Sequence, residues 1–209
     1  MSEIALMFFK PEFNIFARKY YFPLIHYYLK RYQLNIERNI QVYSYKKKAI
    51  LFDEIYSEIL NYSYQSQLGS TIGSFEYLKK FKNISDLDLF KQWNSLKESI
   101  LKIGKDQYFI QNKEFKILNP FCPYQRKMFI NIPVSIHLFI IKKKSFLSWI
   151  ELKSCFQGAP IQKNSYLQGI RSYLSHFNWY TPTTNGIHLS ATDDDAINEI
   201  KIVDKFFTN

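Results

Sequence analysis

The sequence predicts an α+β chain, and three observations carry that expectation. Apolar runs of strand length, Glu3–Phe9 and Pro133–Ile141, alternate with stretches whose apolar residues recur every three or four positions. Apolar residues make up 46% and charged residues 22% of the 209, the balance of a globular chain able to bury a full core. The segments follow the order strand, helix, strand, helix, insertion, strand, helix, loop, strand, helix.

Glu3 to Phe9 reads as a buried strand that stops at Lys10-Pro11. Pro23 suits the first turn of a helix, where its missing N–H is not needed, and Leu24, Ile25, Tyr28, Leu29 and Tyr32 follow at helical spacing. Arg38 to Tyr45 reads as a second strand, with Ile40 and Val42 on one face. Residues 47 to 61 read as a helix, with Leu51, Ile55 and Ile59 on one stripe and Phe52, Tyr56 and Leu60 beside it. From about 62 to 127 the pattern changes. Ser85 or Asp86 caps a helix expected to run through Lys102, on the stripe Leu89, Trp93, Leu96 and Ile100. Gln107 to Leu118 reads as a hairpin turning at Asn112-Lys113. Asn119-Pro120 and Cys122-Pro123 are expected to break regular structure. The stretch reads as an insertion, without internal repeats or low complexity.

PVSIHLFII, residues 133 to 141, is the strongest strand signal, and a helix through Phe146, Trp149 and Ile150 follows it. Residues 159 to 184 read as loop, apart from a helical turn near Tyr166–His176. Gly186 to Leu189 reads as a short strand. Asp193 to Asp195 open a last helix, where carboxylates complement the dipole, and Ala196, Ile197, Ile200, Val203 and Phe207 form its apolar face. With the insertion and one helix set aside, the order is βαββαβ. That is the ferredoxin-like arrangement, an antiparallel sheet with helices on its faces. The expected organisation is one domain over 1–209, interrupted by a helical and hairpin insertion at about 62–127.

No run approaches the roughly 18 apolar residues that cross a bilayer, so no membrane partner is expected. MSEIALMFFKPE has an early glutamate and no basic start, and does not read as a signal peptide. Cys122 and Cys155 form neither a disulfide framework nor a metal-ligand set, which points to a reducing, cytoplasmic location. The net charge of +10 favours anionic partners, nucleotides or nucleic acids among them. Compositional drift toward Lys, Asn, Ile, Tyr and Phe explains the same charge. The aromatics are spread through helices and strands, so core packing accounts for them better than a nucleic-acid platform does.

The segment NGIHLSATDDDAINEI, starting at Asn185, is the most informative. Asn185, His188 and Ser190 lie on or beside a short strand. Glu199 sits in the following helix at the edge of its buried face, within reach of that strand. A histidine oriented by a carboxylate holds a proton on one nitrogen and leaves the other to attack. Ser190 stands where it can anchor the carboxylate. The alternative is an ordinary part-buried histidine beside a solvated glutamate. His26, His137 and His176 have no comparable setting and read as structural.

These residues resemble the nucleoside diphosphate kinase family, whose active-site segment has Asn, two residues, His, one residue, then Ser, with a Glu eleven after the His. Asn185, His188, Ser190 and Glu199 match all four. ALMFFKPE resembles the family's first strand and its Lys-Pro-Asp, and DEIYSEI resembles the helix that presents a nucleotide-contacting tyrosine, here Tyr56. IPVSIHLFI resembles the third strand, and QGIRSYL resembles the segment bearing a phosphate-binding arginine, here Arg171. The resemblance implies that His188 attacks the γ-phosphate of a nucleoside triphosphate and passes the phosphoryl group to a diphosphate. Glu199 would orient the imidazole with Ser190 in support. Lys10 would contact phosphate and sugar, Asn185 the sugar, and Tyr56 and Arg171 the phosphates. Magnesium would arrive bridging the nucleotide phosphates, with no protein cage of its own. A homo-oligomer is implied as well.

The chain departs from the family pattern in several places. Leu152 or Lys153 falls at a second arginine, Gly158 at a threonine, and Ala191 at the aspartate after the serine. Four extra residues separate Arg171 from Asn185, and no base-stacking aromatic can be aligned, Phe75 being the nearest guess. These departures leave two alternatives open: a changed acceptor, water or a protein, and a non-catalytic nucleotide sensor or interaction module.

Overall fold

The computed structural model describes residues 3–16, 18–95, 100–104, 107–160 and 169–207, with backbone alone for those of 14–21. In chain order it contains β1 (Ile4–Phe9), α1 (Pro11–Phe16), α2 (Arg18–Arg31), β2 (Leu34–Val42), α3 (Tyr45–Ile55), α4 (Ser57–Ser63), β3 (Thr71–Gly73), α5 (Ser74–Lys80) and α6 (Asp86–Ser95). It continues with β4 (Leu101–Gly104), β5 (Gln107–Gln111), β6 (Lys116–Leu118), α7 (Cys122–Asn131), β7 (Ile136–Lys143) and α8 (Trp149–Leu152), which widens into a π-turn at Lys153–Gln157. The last elements are α9 (Ile170–Leu174), β8 (Ile187–Leu189) and α10 (Asp193–Phe207). The chain is thus α+β, and it divides into two units, 1–51 with 132–209 and 52–131; the division falls within α3. The 62–127 stretch lies inside the second unit.

The first unit holds a four-stranded sheet in the order β2-β7-β1-β8, with every neighbouring pair antiparallel. β1 and β7, the two inner strands, are almost wholly buried, which is why their sequences are continuous apolar runs rather than alternating ones. Phe9, Phe13, Ile25, Phe139, Trp149, Phe156, Ile187 and Leu189 belong to one core. Lys48 is buried in α3, and its ammonium donates to the carbonyls of Ile132 (2.7 Å) and Val134 (2.8 Å), fixing the segment that leads into β7. The second unit holds a mixed sheet, β3-β6-β5-β4, in which β3 and β6 run parallel. Among the described residues no helix is long and apolar enough to cross a membrane.

Several local expectations need correction. The helix expected to reach Lys102 is described as far as Ser95, residues 96–99 lie outside the described residues, and Leu101–Gly104 is a strand. Pairing of Leu101 with Phe109 and of Lys102 with Tyr108 overrides the helical spacing, while Leu96 lies outside the described residues. The 47–61 helix is two helices, with Tyr56 (φ −104°, ψ 24°) between them. Pro23 lies inside α2, not in a first turn. Cys122-Pro123 starts α7, because a proline in the opening turn withholds no needed N–H. Phe146 is fully exposed and Ile150 points outward, so α8 is held by Trp149 and Leu152 instead. Ile197 is exposed, leaving Ala196, Ile200 and Val203 as the buried face of α10. Of the turn expected near Tyr166–His176, the part before Gly169 lies outside the described residues.

Candidate functional site at His188

β8 supplies the centre of the site. Its three residues pair with β1 in the register Leu189–Met7, His188–Phe8 and Ile187–Phe9. Strand alternation puts Ile187 and Leu189 on one face, both fully buried, and turns His188 and Ser190 to the other. α10 returns Glu199 to that second face. The imidazole Nε2 lies 3.0 Å from both Glu199 carboxylate oxygens. The Ser190 hydroxyl donates to Glu199 Oε2 at 2.7 Å and accepts the Leu6 N–H at 3.0 Å. The Leu6 carbonyl, at 3.2 Å, competes for the same hydroxyl proton. The shorter, charge-assisted bond to the carboxylate is the stronger. His188 and Glu199 side chains are each 13% exposed. Phe8, opposite His188 in the register, stacks on the imidazole with centroids 4.4 Å apart and planes 12° apart. Ring plane and ring rotation are therefore both held.

An ionised carboxylate only accepts hydrogen bonds. The proton between the two groups then belongs to Nε2, and in the neutral ring Nδ1 keeps its lone pair. Nδ1 is the nitrogen that Glu199 does not hold. This arrangement suits nucleophilic or proton-transfer chemistry at Nδ1.

The loop that leads into β8 gathers three more of the predicted residues. The Lys10 ammonium donates to the Thr183 carbonyl at 3.1 Å, and its backbone N–H to the Gly186 carbonyl at 2.9 Å. Asn185 is buried. Its Oδ1 accepts from Arg171 Nη2 at 2.8 Å and its Nδ2 donates to the Pro182 carbonyl at 2.7 Å. Arg171 is only 7% exposed, and its guanidinium also donates to the carbonyls of Gly158 (3.2 Å) and Ile187 (3.0 Å). Arg171 and Asn185 thus spend hydrogen bonds on each other and on backbone. Gly186, at φ +83°, forms the corner before β8, where a Cβ would lie 2.6 Å from Leu174 Cδ1. Tyr56 belongs to the second unit, where its ring packs on Phe52 at 4.7 Å. His137 is buried, with Nε2 3.1 Å from Ser135 Oγ.

Three residues at this site carry little or no signal in the sequence. Glu12 is buried and accepts the Gly186 N–H at 3.0 Å; burial raises its pKa, against Lys10 and Arg171, whose charges lower it. Gln157 donates Nε2–H to the Ile187 carbonyl at 2.7 Å. Phe8 could be anticipated only from the register. A cleft of about 290 Å³ opens between the first turns of α8 and α10, lined by Ser148, Trp149, Ile150, Thr192, Asp193 and Asp194. None of the site residues lines it, and its aspartates disfavour a polyphosphate. Among the described residues no group of three or more His, Cys, Asp or Glu is arranged to hold a metal ion. No protein-family model matches the chain, and no curated protein matches it.

Proposed function

We propose that this chain is a divergent nucleoside diphosphate kinase-like phosphotransferase that works through a phosphohistidine at His188. The observation that carries the reading is the grip of Glu199 on Nε2, backed by Ser190. The antiparallel order β2-β7-β1-β8 supports the ferredoxin-like reading of the first unit, since that is the order such a βαββαβ chain adopts. In the reaction, Nδ1 attacks the γ-phosphorus of a magnesium-bound nucleoside triphosphate. The bond from the γ-phosphorus to the β-bridging oxygen breaks, and the diphosphate leaves with that electron pair. A phosphate oxygen of an incoming diphosphate then attacks the phosphohistidine and restores His188. Nε2–H stays on Glu199 throughout, so the positive charge that develops on the ring meets a carboxylate. Lys10 contributes positive charge near the transferred group, and Arg171 adds its charge from beneath the loop.

The engagement of Asn185 with Arg171 favours a second reading, in which the same phosphohistidine forms but the acceptor is water or a protein. Incubation with γ-labelled ATP is expected to leave an acid-labile, alkali-stable label on wild type and none on His188→Gln. Chase with a panel of diphosphates separates the readings. Discharge into new triphosphates supports the kinase, and label that resists every diphosphate supports a changed acceptor. Absence of label on folded wild type sinks both.

A further inference from the structure

β8 closes one side of the first sheet, and among the described residues its far edge has no strand to pair with. Lys10 N–H reaches the Gly186 carbonyl, and Ser190 N–H reaches the Leu6 carbonyl. The alternation of an antiparallel ladder then aims the backbone of residues 186, 188 and 190 at β1 and the backbone of Ile187 outward. An outward carbonyl at a buried edge needs a partner. Ile187 is wholly buried, and its carbonyl receives two side-chain donors, Gln157 Nε2 at 2.7 Å and Arg171 Nη2 at 3.0 Å. Its N–H closes a three-residue turn onto the Asn185 carbonyl at 3.0 Å.

We infer that Gln157 and Arg171 are positioning residues for His188, bracing the open edge of β8 where a further strand would otherwise stand; the inference rests on the phosphohistidine reading above. They act one peptide away from the histidine. The plane of the 187–188 peptide sets the direction of the His188 side chain, and so sets whether Nε2 meets Glu199 squarely. Arg171 is suited to the task because one rigid fork spans Gly158, Asn185 and Ile187 together. Gln157 ends the π-turn, a widened turn that brings its amide to the strand edge. Among the described residues, Gln157 Oε1 is buried with no hydrogen-bond partner. A buried amide with one end unsatisfied is poorer for stability than an apolar side chain of the same size. Its contribution is the bond to Ile187.

That imbalance separates a positioning role from a structural one. Gln157→Met keeps the volume and removes the donor, while Arg171→Lys keeps the charge and removes the fork. Each is expected to keep the wild-type melting temperature to within about 4 °C. Each should lower the labelling rate at saturating magnesium-ATP by about tenfold or more, with the half-saturating ATP concentration changed less than about threefold. A raised half-saturating concentration with an unchanged maximal rate would make Arg171 a phosphate ligand and overturn its assignment. An unchanged rate in folded Gln157→Met overturns the assignment of Gln157. Nitrogen-detected NMR of His188 gives a readout independent of turnover. The Nε2–H proton, held by Glu199, should exchange with water about tenfold faster in both variants. Unchanged exchange in both overturns the brace even if wild type takes no label, an outcome that would by itself refute only the phosphotransferase reading.

Discussion

Both units bury polar side chains, but to different ends. In the second unit Asn119 is fully buried at φ +44°, donates to the Ile59 carbonyl and to Gln107, and accepts the Tyr108 N–H. That network closes on helix and strand backbone and on Gln107. In the first unit Glu12, Gln157, Arg171, Asn185 and Ser190 are buried around a three-residue strand, and their bonds lead to His188, which keeps a partly open side chain. The charge follows the same division. The first unit holds 17 of the 28 basic residues against 9 of the 18 acidic ones, so +8 of the net charge lies there. A buried polar network stabilises little once desolvation is counted. Where it ends on backbone it specifies a turn, and where it ends on an oriented histidine it can prepare chemistry.

The largest expected effect tests that contrast at Glu199. Glu199→Gln keeps size and a hydrogen-bonding oxygen but removes the charge facing the imidazole. The labelling rate is expected to fall by about 100-fold, within the usual range for a lost acid–base partner. Ser190→Ala, which removes the support of Oε2 together with the acceptor for the Leu6 N–H, should cost about tenfold. Equal rates in wild type and Glu199→Gln would mean that the carboxylate holds the histidine for folding alone. Single-turnover labelling at saturating ATP makes the comparison.

Two glycines give the next effect. Gly69, in the second unit, has φ +58° and open space where a Cβ would stand, whereas Gly186 has φ +83° and Leu174 in the way. Gly69→Ala bears left-handed strain alone, about 1 kcal/mol. Gly186→Ala adds the collision, for about 3 kcal/mol in all. For a chain of this size that means melting temperatures lower by about 3 °C and about 9 °C respectively. Similar losses in the two variants would show that Leu174 yields, and that the corner before β8 is looser than its contacts indicate.

The His188 cluster was legible because two local rules suffice to assemble it. Strand alternation places residues 188 and 190 on one face, and nearly two turns of helix bring residue 199 back to them. The buried strands β1 and β7 were legible for a similar reason, as long apolar runs. The brace was not, because Gln157 and Ile187 lie thirty residues apart and a lone glutamine carries no periodic signal. The motif around Arg171 singles that residue out, but not the way its fork is spent on Gly158, Asn185 and Ile187. β4 read as helix because Leu89, Trp93, Leu96 and Ile100 continue a helical stripe, and only its pairing with β5 decides otherwise.

The smallest effect compares one buried acid from each unit. Burial raises the Glu12 pKa in the first unit, and pushes the Cys122 thiol up to about 12 in the second. For both groups the unfolded chain releases its proton at lower pH than the folded one. Stability is therefore whole below the unfolded pKa and falls as pH rises toward the folded value. The two windows differ. The Glu12 loss begins in the ordinary carboxylate range and runs upward, opposed by the charges of Lys10 and Arg171; Tyr180, whose own pKa is raised to about 12, adds no charge there. The Cys122 loss begins near the unperturbed thiol pKa of about 8.5 and continues to about 12. Glu12→Gln keeps an oxygen for the Gly186 N–H, and should remove the acid-side slope while leaving the alkaline one. Cys122→Ala should do the reverse, on top of a uniform packing loss. Melting temperatures from pH 4 to 11, each variant subtracted from wild type, read both windows. If either substitution flattened both slopes, the two units would not titrate as separate bodies.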